Sequence, residues 1–260
     1  MILARDVIGP QTVLLAANRD ERPRRPTAGP QVLSPRPRVV GGRDLSAGGT
    51  WLALREERAA VALLNRRDPF FQDPPPGRRS RGLLTLDVAM APMEGPPRSR
   101  DPIAEDDLAH GALDRAREAV ARDPYAPFTL VYASPTSCWI MALDSEQPRV
   151  ARIEPGWHVL THREMDDPAE PRAAHLLNEL RDRRPRSREE AEELLIGHLR
   201  SHGERGGPPV CLHEGVMATV SSSLVWLDRE GARYRHAEGR PCEHAFEDRS
   251  SLLAGAESPR

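Results

Sequence analysis

Short apolar runs of β-strand length are grouped along this chain, with groups of longer, helically spaced segments between them. Turn-forming pairs such as Gly9-Pro10 and Pro155-Gly156 separate several of the runs, which favours antiparallel hairpins. The predicted strands lie at residues 2–4, 12–17, 50–54, 59–65, 128–133, 138–143, 149–153, 157–160, 217–227 and 232–236, and the predicted helices at 82–90, 101–122, 171–183 and 187–201. Because the strands and the helices occur in separate groups along the chain, the sequence predicts an α+β fold of antiparallel sheet and helix layers rather than alternating βαβ units.

The length and loop composition indicate how these elements are organised. The 260 residues are enough for one large core, so we expect a single domain over residues 1–260 with a frayed tail from about Ser250. Residues 59–65 are small and apolar on both faces, which is typical of a central strand covered on each side. Residues 22–38 and 68–80 are rich in proline and arginine and are predicted to be irregular surface loops.

Charge and cysteine usage exclude several classes of protein. A net charge of −2 gives no one-sided basic field of the kind that nucleic-acid binding needs. Cys138, Cys211 and Cys242 form no C-x-x-C pair, so a reducing, cytoplasmic location is expected. No apolar run approaches the roughly 20 residues of a membrane span. Cysteine and histidine also occur close together at 211–213 and 242–244, but without zinc-type spacing, so no metal site is predicted.

Four sequence blocks carry a family resemblance. They are AANRDER at residues 16–22, GRDLSAGGTWL at 42–52, ALLNRRD at 62–68 followed by Ser80-Arg81-Gly82, and TVSSSL at 219–224. In this order they closely resemble the signature of the Transport and Golgi Organization protein 2 family, also named after its Asn-Arg-Asp-Glu motif, and they span most of the chain.

This resemblance implies a four-layer αββα sandwich of the N-terminal-nucleophile hydrolase type. In that superfamily the first residue of the mature chain attacks an amide or acyl carbonyl, and its α-amino group is the base. Family members usually begin Met-Cys, whereas this chain begins Met1-Ile2-Leu3 and has no cysteine before Cys138. Either the true start lies a few residues upstream and carries the cysteine, or this member only binds ligands.

The resemblance also implies roles for polar residues at the ends of two predicted strands. Asp20 corresponds to an aspartate that holds the terminal amino group over the substrate. Asn65 either donates to an oxyanion or forms a turn. Arg19 is expected to bind a carboxylate or phosphate. Asn18 is expected to line the same pocket, and Glu21 either lines it or pairs with a nearby arginine.

Three more residues are candidates for ligand binding. Arg43 lies in the second block, and Trp51 either belongs to the core or lines an apolar pocket. His162 stands where relatives carry asparagine, and on a continuous strand it would share a face with His158, which suggests a metal or haem contact. The arginine-rich loops would form an electropositive rim.

These residues lead to two functional hypotheses. The first is a ligand-binding or trafficking protein for haem or an acyl-coenzyme A or lipid-like anion, with haem as cargo and no required cofactor. Its partner is then a small molecule rather than nucleic acid. The alternative is an N-terminal cysteine amidohydrolase or acyltransferase whose nucleophile lies upstream of Met1, with Asp20 and Asn65 as its catalytic residues.

Overall fold

The computed structural model describes residues 1–56, 58–66, 77–91, 102–145 and 147–254, with the backbone alone for residues 102–107 and 205. Two compact units divide the chain. Unit 1 comprises Met1–Arg25, Glu154–Asp228 and Arg233–Arg249, and unit 2 comprises Pro26–Ile153, Arg229–Ala232 and Ser250–Arg260. The predictions for residues 67–76, within the second arginine-rich loop, lie outside the described residues.

The described elements follow one another in blocks, as predicted. The strands are β1 Ile2–Arg5, β2 Val13–Glu21, β3 Thr27–Pro35, β4 Arg38–Asp44, β5 Leu52–Arg55, β6 Ala59–Asn65, β7 Phe128–Ala133, β8 Cys138–Leu143, β9 Arg149–Arg152, β10 Gly156–Val159, β11 Ala218–Asp228, β12 Gly231–Ala237 and β13 Glu247–Asp248. The helices are α1 Arg81–Ala89, α2 Pro102–Arg122, α3 Pro171–Leu180 and α4 Arg188–Arg200, with short 3-10 turns at Glu204–Gly206 and Ser250–Leu252.

The sheet of unit 1 has six strands in the order β10-β1-β2-β11-β12-β13. Helices α3 and α4 pack on one of its faces. Glu170 caps α3 by accepting a hydrogen bond from the backbone of Ala173 at 2.7 Å, and Ser187 caps α4 through Glu190 at 3.2 Å. The shared core includes apolar residues from alternate strand positions and both helices: Ile2, Ala4, Leu14, Ala16, Trp157, Val159, Leu224, Trp226, Ala173, Leu176, Leu180, Ala191, Leu195 and Leu199.

The sheet of unit 2 has seven strands in the order β3-β4-β5-β6-β7-β8-β9. Strand β6 is its fourth strand, so the predicted central position is confirmed. Helices α1 and α2 share a core with this sheet that includes Val61, Leu84, Leu113 and Phe128. Both sheets are antiparallel throughout the described pairings, which confirms the predicted α+β class.

A close backbone contact fixes the start of α1 in unit 2. The backbone nitrogen of Thr50 donates to the carbonyl of Gly82 at 3.0 Å. A Cβ added to Gly49 would lie 2.2 Å from the carbonyl carbon of Gly82. Two of the motif blocks, Gly48-Gly49-Thr50 and Ser80-Arg81-Gly82, therefore meet at a point where only glycine fits at residue 49.

The interpretation of residues 22–38 as an irregular loop is wrong. Most of this segment forms β3, which pairs with β4 through two register shifts. Strand β3 is an edge strand, and an edge tolerates prolines that a central strand would exclude. Its tertiary pairing with β4 outweighs the local turn signals.

The remaining predictions concern the end of the chain and the presence of a membrane-spanning helix. Ser250–Leu252 form a short 3-10 turn and Leu253 is buried, while residues 255–260 lie outside the described residues. In the described part of the chain, no helix combines the length and the apolar character needed to cross a membrane.

Candidate functional site

The Asn-Arg-Asp-Glu motif lies inside β2 rather than after it. The predicted strand ended at residue 17, whereas β2 continues to Glu21 because β11 pairs with it along its whole length. Side chains alternate between the faces of a strand. Asn18 and Asp20 therefore continue the helix-facing series of Leu14 and Ala16, and the motif divides between two faces.

Asn18 is held by three hydrogen bonds within unit 1. Its Nδ2 donates to the carbonyls of Leu199 at 2.9 Å and Val210 at 3.0 Å. Its Oδ1 accepts from the Ser222 hydroxyl at 2.7 Å. Both amide hydrogens and the amide oxygen thus have partners in the chain, and the side chain ties β2 to the end of α4 and to the following loop. A role in ligand binding stays a prediction.

Asp20 lies two residues further along β2, on the same face as Asn18. Its Oδ1 accepts from the Thr219 hydroxyl at 2.7 Å, and that hydroxyl accepts in turn from the backbone nitrogen of Leu212 at 2.9 Å. Its Oδ2 lies 3.7 Å from Nη1 of Arg172, near the start of α3. Asp20 therefore connects the loop after α4 with a cation on α3.

The α-amino group of Met1 lies in the same electrostatic environment. It donates to the carbonyl of Leu160 at 2.8 Å, and Leu160 N donates back to the carbonyl of Met1 at 2.8 Å. Burial and then the charge of Arg172 lower the pKa of this amino group to about 6, against the opposing effects of Asp20 and Glu170. An amine with this pKa is mostly unprotonated at neutral pH and can accept a proton.

The register of the β1–β2 pair determines which residues of β2 would lie opposite any residue placed before Met1. Ile2 pairs with Ala16, whereas β11 pairs with β2 as far as Glu21. In an antiparallel pair, each step back along one strand is a step forward along the other. Met1 therefore lies opposite residue 17, and residues placed one, two and three positions before it would lie opposite Asn18, Arg19 and Asp20.

Arg19 and Glu21 lie on the other face of β2. Arg19 Nη2 is 3.6 Å from Glu21 Oε2, and Arg25 Nε is 3.7 Å from the same oxygen. The two motif side chains are largely buried, with 10% of Arg19 and 18% of Glu21 exposed. Glu21 thus has arginine neighbours, as one of its two interpretations stated.

The two histidines near β10 are in different settings. His158 lies in the strand, where its Nδ1 is 2.7 Å from Asp166 Oδ2 and its Nε2 is 2.8 Å from the carbonyl of Glu154. Burial disfavours the charged ring, but these two hydrogen bonds outweigh it and raise the pKa of His158. His162 is exposed and lies beyond the end of β10, so strand alternation does not place it beside His158.

The other predicted residues belong to unit 2. Asn65 ends β6 opposite Phe128, and its half-buried side chain makes no hydrogen bond to any described residue. Arg43 is exposed on β4. The half-buried Trp51 ring packs on Gly42, where an added Cβ would come within 2.4 Å of Cη2. The contact with Gly42 gives Trp51 a packing role, and its role in ligand binding stays a prediction.

Arg172, Thr219 and Ser222, which contact the motif, were not among the residues predicted from the sequence. Thr219 and Ser222 fall in the fourth motif block, so the block itself was a signal, but its pairing with the first block was not deduced. Arg172 has no such signal, because it is one of 37 basic residues and only the packing of α3 brings it to Asp20.

Comparison with known proteins agrees with this architecture. The family model described as Transport and Golgi organisation 2 matches residues 10–205, and no curated protein sequence matches the chain. The Caenorhabditis elegans N-acylethanolamine-hydrolyzing acid amidase (NAAA) ortholog is similar in structure, with a TM-score of 0.51 and 15% identity over 86% of this chain and 90% of that one. Penicillin V acylase from Agrobacterium tumefaciens has a TM-score of 0.55 and 12% identity over 98% and 88%. Both have the N-terminal-nucleophile hydrolase fold, which confirms the fold predicted from the motifs.

Proposed function

Because this chain belongs to the Transport and Golgi organisation 2 family, we propose that unit 1 binds an anionic ligand with a large apolar body beside the Asn-Arg-Asp-Glu motif. Haem and an acyl-coenzyme A or lipid-like anion each combine such a body with acidic groups. The observation that carries the proposal is the state of Arg172. Its Nε is buried and has no hydrogen-bond acceptor among the described residues.

The arrangement around Arg172 favours an anion. Its one described ion-pair partner, Asp20, is 3.7 Å away, which is longer than a direct hydrogen bond. A buried donor without an acceptor costs about 1–3 kcal/mol, so a rearrangement that gave a ligand oxygen access to Nε would recover that energy. The planar guanidinium offers two parallel donors, which match a carboxylate or a phosphate.

The acyl-bearing class has further support from the structural neighbours. One is described as hydrolysing N-acylethanolamines and the other as a penicillin V acylase, so both handle acyl groups. The α-amino group of Met1 adds a second positive charge beside Arg172 when it is protonated. An anionic ligand should therefore bind more tightly below the amino group's pKa of about 6 than above it.

The test is a titration of the purified protein with haem and, separately, with palmitoyl-coenzyme A. We expect saturable binding of one of them, with a dissociation constant that rises as the pH increases through about 6. In Arg172→Ala the dissociation constant should be 10–100-fold larger, because a charged hydrogen-bonding partner contributes about 1.5–3 kcal/mol. Arg181→Ala is the matched control, because this arginine lies at the other end of α3 and is 69% exposed. Failure of both ligands to saturate, or an equal loss in the two variants, would contradict the proposal.

The register favours a second candidate function, an N-terminal cysteine amidohydrolase. A cysteine placed one to three residues before Met1 would lie along β2 between Asn18 and Asp20. Its thiol would attack an amide carbonyl while its own α-amino group accepts the thiol proton and delivers it to the departing amine. Water would then hydrolyse the thioester and release the acid. In this mechanism Asp20 would position the amino group.

The enzyme candidate has a direct test. The in-frame codons upstream of Met1 and the intact mass of the native protein reveal whether a cysteine precedes it. Chains extended so that a cysteine lies one, two or three residues before Met1 are then assayed for hydrolysis of an N-acyl amide. We expect activity in one register and a loss of at least about 100-fold in its Cys→Ser form, because the nucleophile is removed. Inactivity of all three extended chains would exclude this candidate.

A further inference from the structure

Four metal-binding side chains meet in unit 1, next to the loop segment that Asn18 of the motif holds. They are His202, Cys211, His213 and Cys242, and one donor atom from each lies within 4.8 Å of all the others. The two sulfurs are 3.5 Å apart, and Nε2 of His213 is 3.0 Å from the sulfur of Cys242. The rings of His202 and His213 are nearly perpendicular, with centroids 4.7 Å apart.

Backbone contacts hold these residues in place independently of the cluster. Cys211 N donates to the carbonyl of Ser201 at 2.9 Å, which joins the segment of Cys211 to the end of α4 beside His202. Leu212, between Cys211 and His213, donates from its backbone to Thr219 Oγ1 at 2.9 Å. Cys242 lies in a turn closed by two backbone hydrogen bonds to the carbonyl of Arg240, from residues 243 and 244. The fold itself therefore brings the four side chains together.

We propose that His202, Cys211, His213 and Cys242 form a zinc site. Two thiolates and two imidazoles are a common ligand set for structural Zn²⁺. Tetrahedral bonds of about 2.3 Å to sulfur and 2.0–2.1 Å to nitrogen place two sulfurs about 3.8 Å apart and a sulfur about 3.6 Å from a nitrogen. The described separations of 3.5 Å and 3.0 Å are shorter than these values by about 0.3 Å and 0.6 Å, so side-chain rotations that open the cluster slightly would complete the geometry.

The surroundings of the histidines fit metal binding. Nδ1 of His213 is 3.6 Å from Glu243, and Nδ1 of His202 is 3.6 Å from Glu204. A metal-bound imidazole usually directs its second nitrogen to a carboxylate or carbonyl, which orients the ring. Nε2 of His213 points to the sulfur of Cys242, so its Nδ1 is the nitrogen left for Glu243.

The site would be structural rather than catalytic. Four protein ligands leave no coordination position for water or substrate. Binding converts two thiols into thiolates and releases two protons, with no change in oxidation state. The ion would fasten the loop after α4, which Asn18 and Thr219 also hold, to the turn at residues 240–244. A disulfide between Cys211 and Cys242 is the competing outcome, but it would leave the two adjacent histidines without a role.

The experiment uses the full chain, purified under reducing conditions without chelator and reconstituted with Zn²⁺. Elemental analysis should find one zinc per chain, and Co²⁺ substitution should give the intense visible absorption of a tetrahedral thiolate site. Cys242→Ser and His213→Asn should each weaken zinc binding at least tenfold, because each removes a ligand. The matched control is His244→Ala, which replaces an exposed histidine in the same turn that lies outside the cluster.

Two results would overturn the proposal. One is wild-type protein that takes up less than a tenth of an equivalent of zinc. This result includes the case in which the cysteines are already joined, which mass analysis without reductant would show as a Cys211–Cys242 disulfide in the purified protein. The other is equal zinc binding by the ligand variants and His244→Ala. The Co²⁺ spectrum is measured on the wild-type chain, so it remains decisive if a variant fails to fold.

Discussion

Replacing Asn18 by alanine is expected to lower the free energy of unfolding by about 3 kcal/mol, because each lost hydrogen bond contributes about 1 kcal/mol and its former partners stay partly buried. The carbonyls of Leu199 and Val210 lose their side-chain donor, and the Ser222 hydroxyl keeps only its longer hydrogen bond to the carbonyl of Ala17, at 3.3 Å. Urea unfolding followed by circular dichroism should show a midpoint lower by about 1 M with an unchanged slope.

A graded control separates this network from a general effect of mutation on β2. Ser222→Ala removes one of the three hydrogen bonds and should cost only about 1 kcal/mol. The double variant should then cost little more than Asn18→Ala alone, because the two side chains share that bond. A single Asn18→Ala variant as stable as the parent would mean that the motif asparagine does not hold the loop after α4.

Replacing Gly49 by alanine is expected to lower the melting temperature by about 10 °C, which corresponds to about 4 kcal/mol for a chain of this size. The new Cβ would lie 2.2 Å from the carbonyl carbon of Gly82 and 2.5 Å from the backbone nitrogen of Leu83. These are backbone atoms at the start of α1, so no side-chain rotation relieves the overlap. The hydrogen bond from Thr50 to Gly82 would be strained at the same time.

Gly111→Ala provides the control for Gly49→Ala. Gly111 lies within α2, and a Cβ added there meets nothing within 4 Å. Alanine should stabilise this helix by roughly 0.5–1 kcal/mol, since glycine loses more backbone entropy. Calorimetry on the two variants should therefore show changes of opposite sign. A Gly49→Ala protein that melts within 2 °C of the parent would show that the two motif blocks do not need this contact.

Local pattern predicted the elements whose stability is local. The strand pairs β5–β6 and β7–β8 and all four helices lie where apolar spacing and turn residues placed them. Two stretches of strand were missed. Strand β3 pairs with the neighbouring strand β4, but its prolines were interpreted as turn signals, and the last residues of β2 are extended because the distant strand β11 continues beside them.

The candidate site follows the same division. The motif residues were identified by resemblance, but alternation along β2 decides that Asn18 and Asp20 share a face and that Arg19 lies on the other. Arg172 reaches Asp20 only through the packing of α3, and three separate segments bring His202, Cys211 and Cys242 together. No spacing rule connects residues that meet only after the sheet has formed.

The chain order of unit 1 has a consequence during synthesis. Asn18 lies in the second strand to leave the ribosome, but Val210, one of its hydrogen-bond partners, is separated from it by 192 positions. Ribosomes add about 5–20 residues per second, so roughly 10–40 s pass between the two. During that interval the β1–β2 hairpin lacks β11, and until residue 159 has been added it also lacks β10, so its apolar edges are open to other nascent chains. Nearly all of unit 2, by contrast, has been synthesised once residue 153 is in place. Unit 2 can therefore fold before the strands that pair with the β1–β2 hairpin have been made.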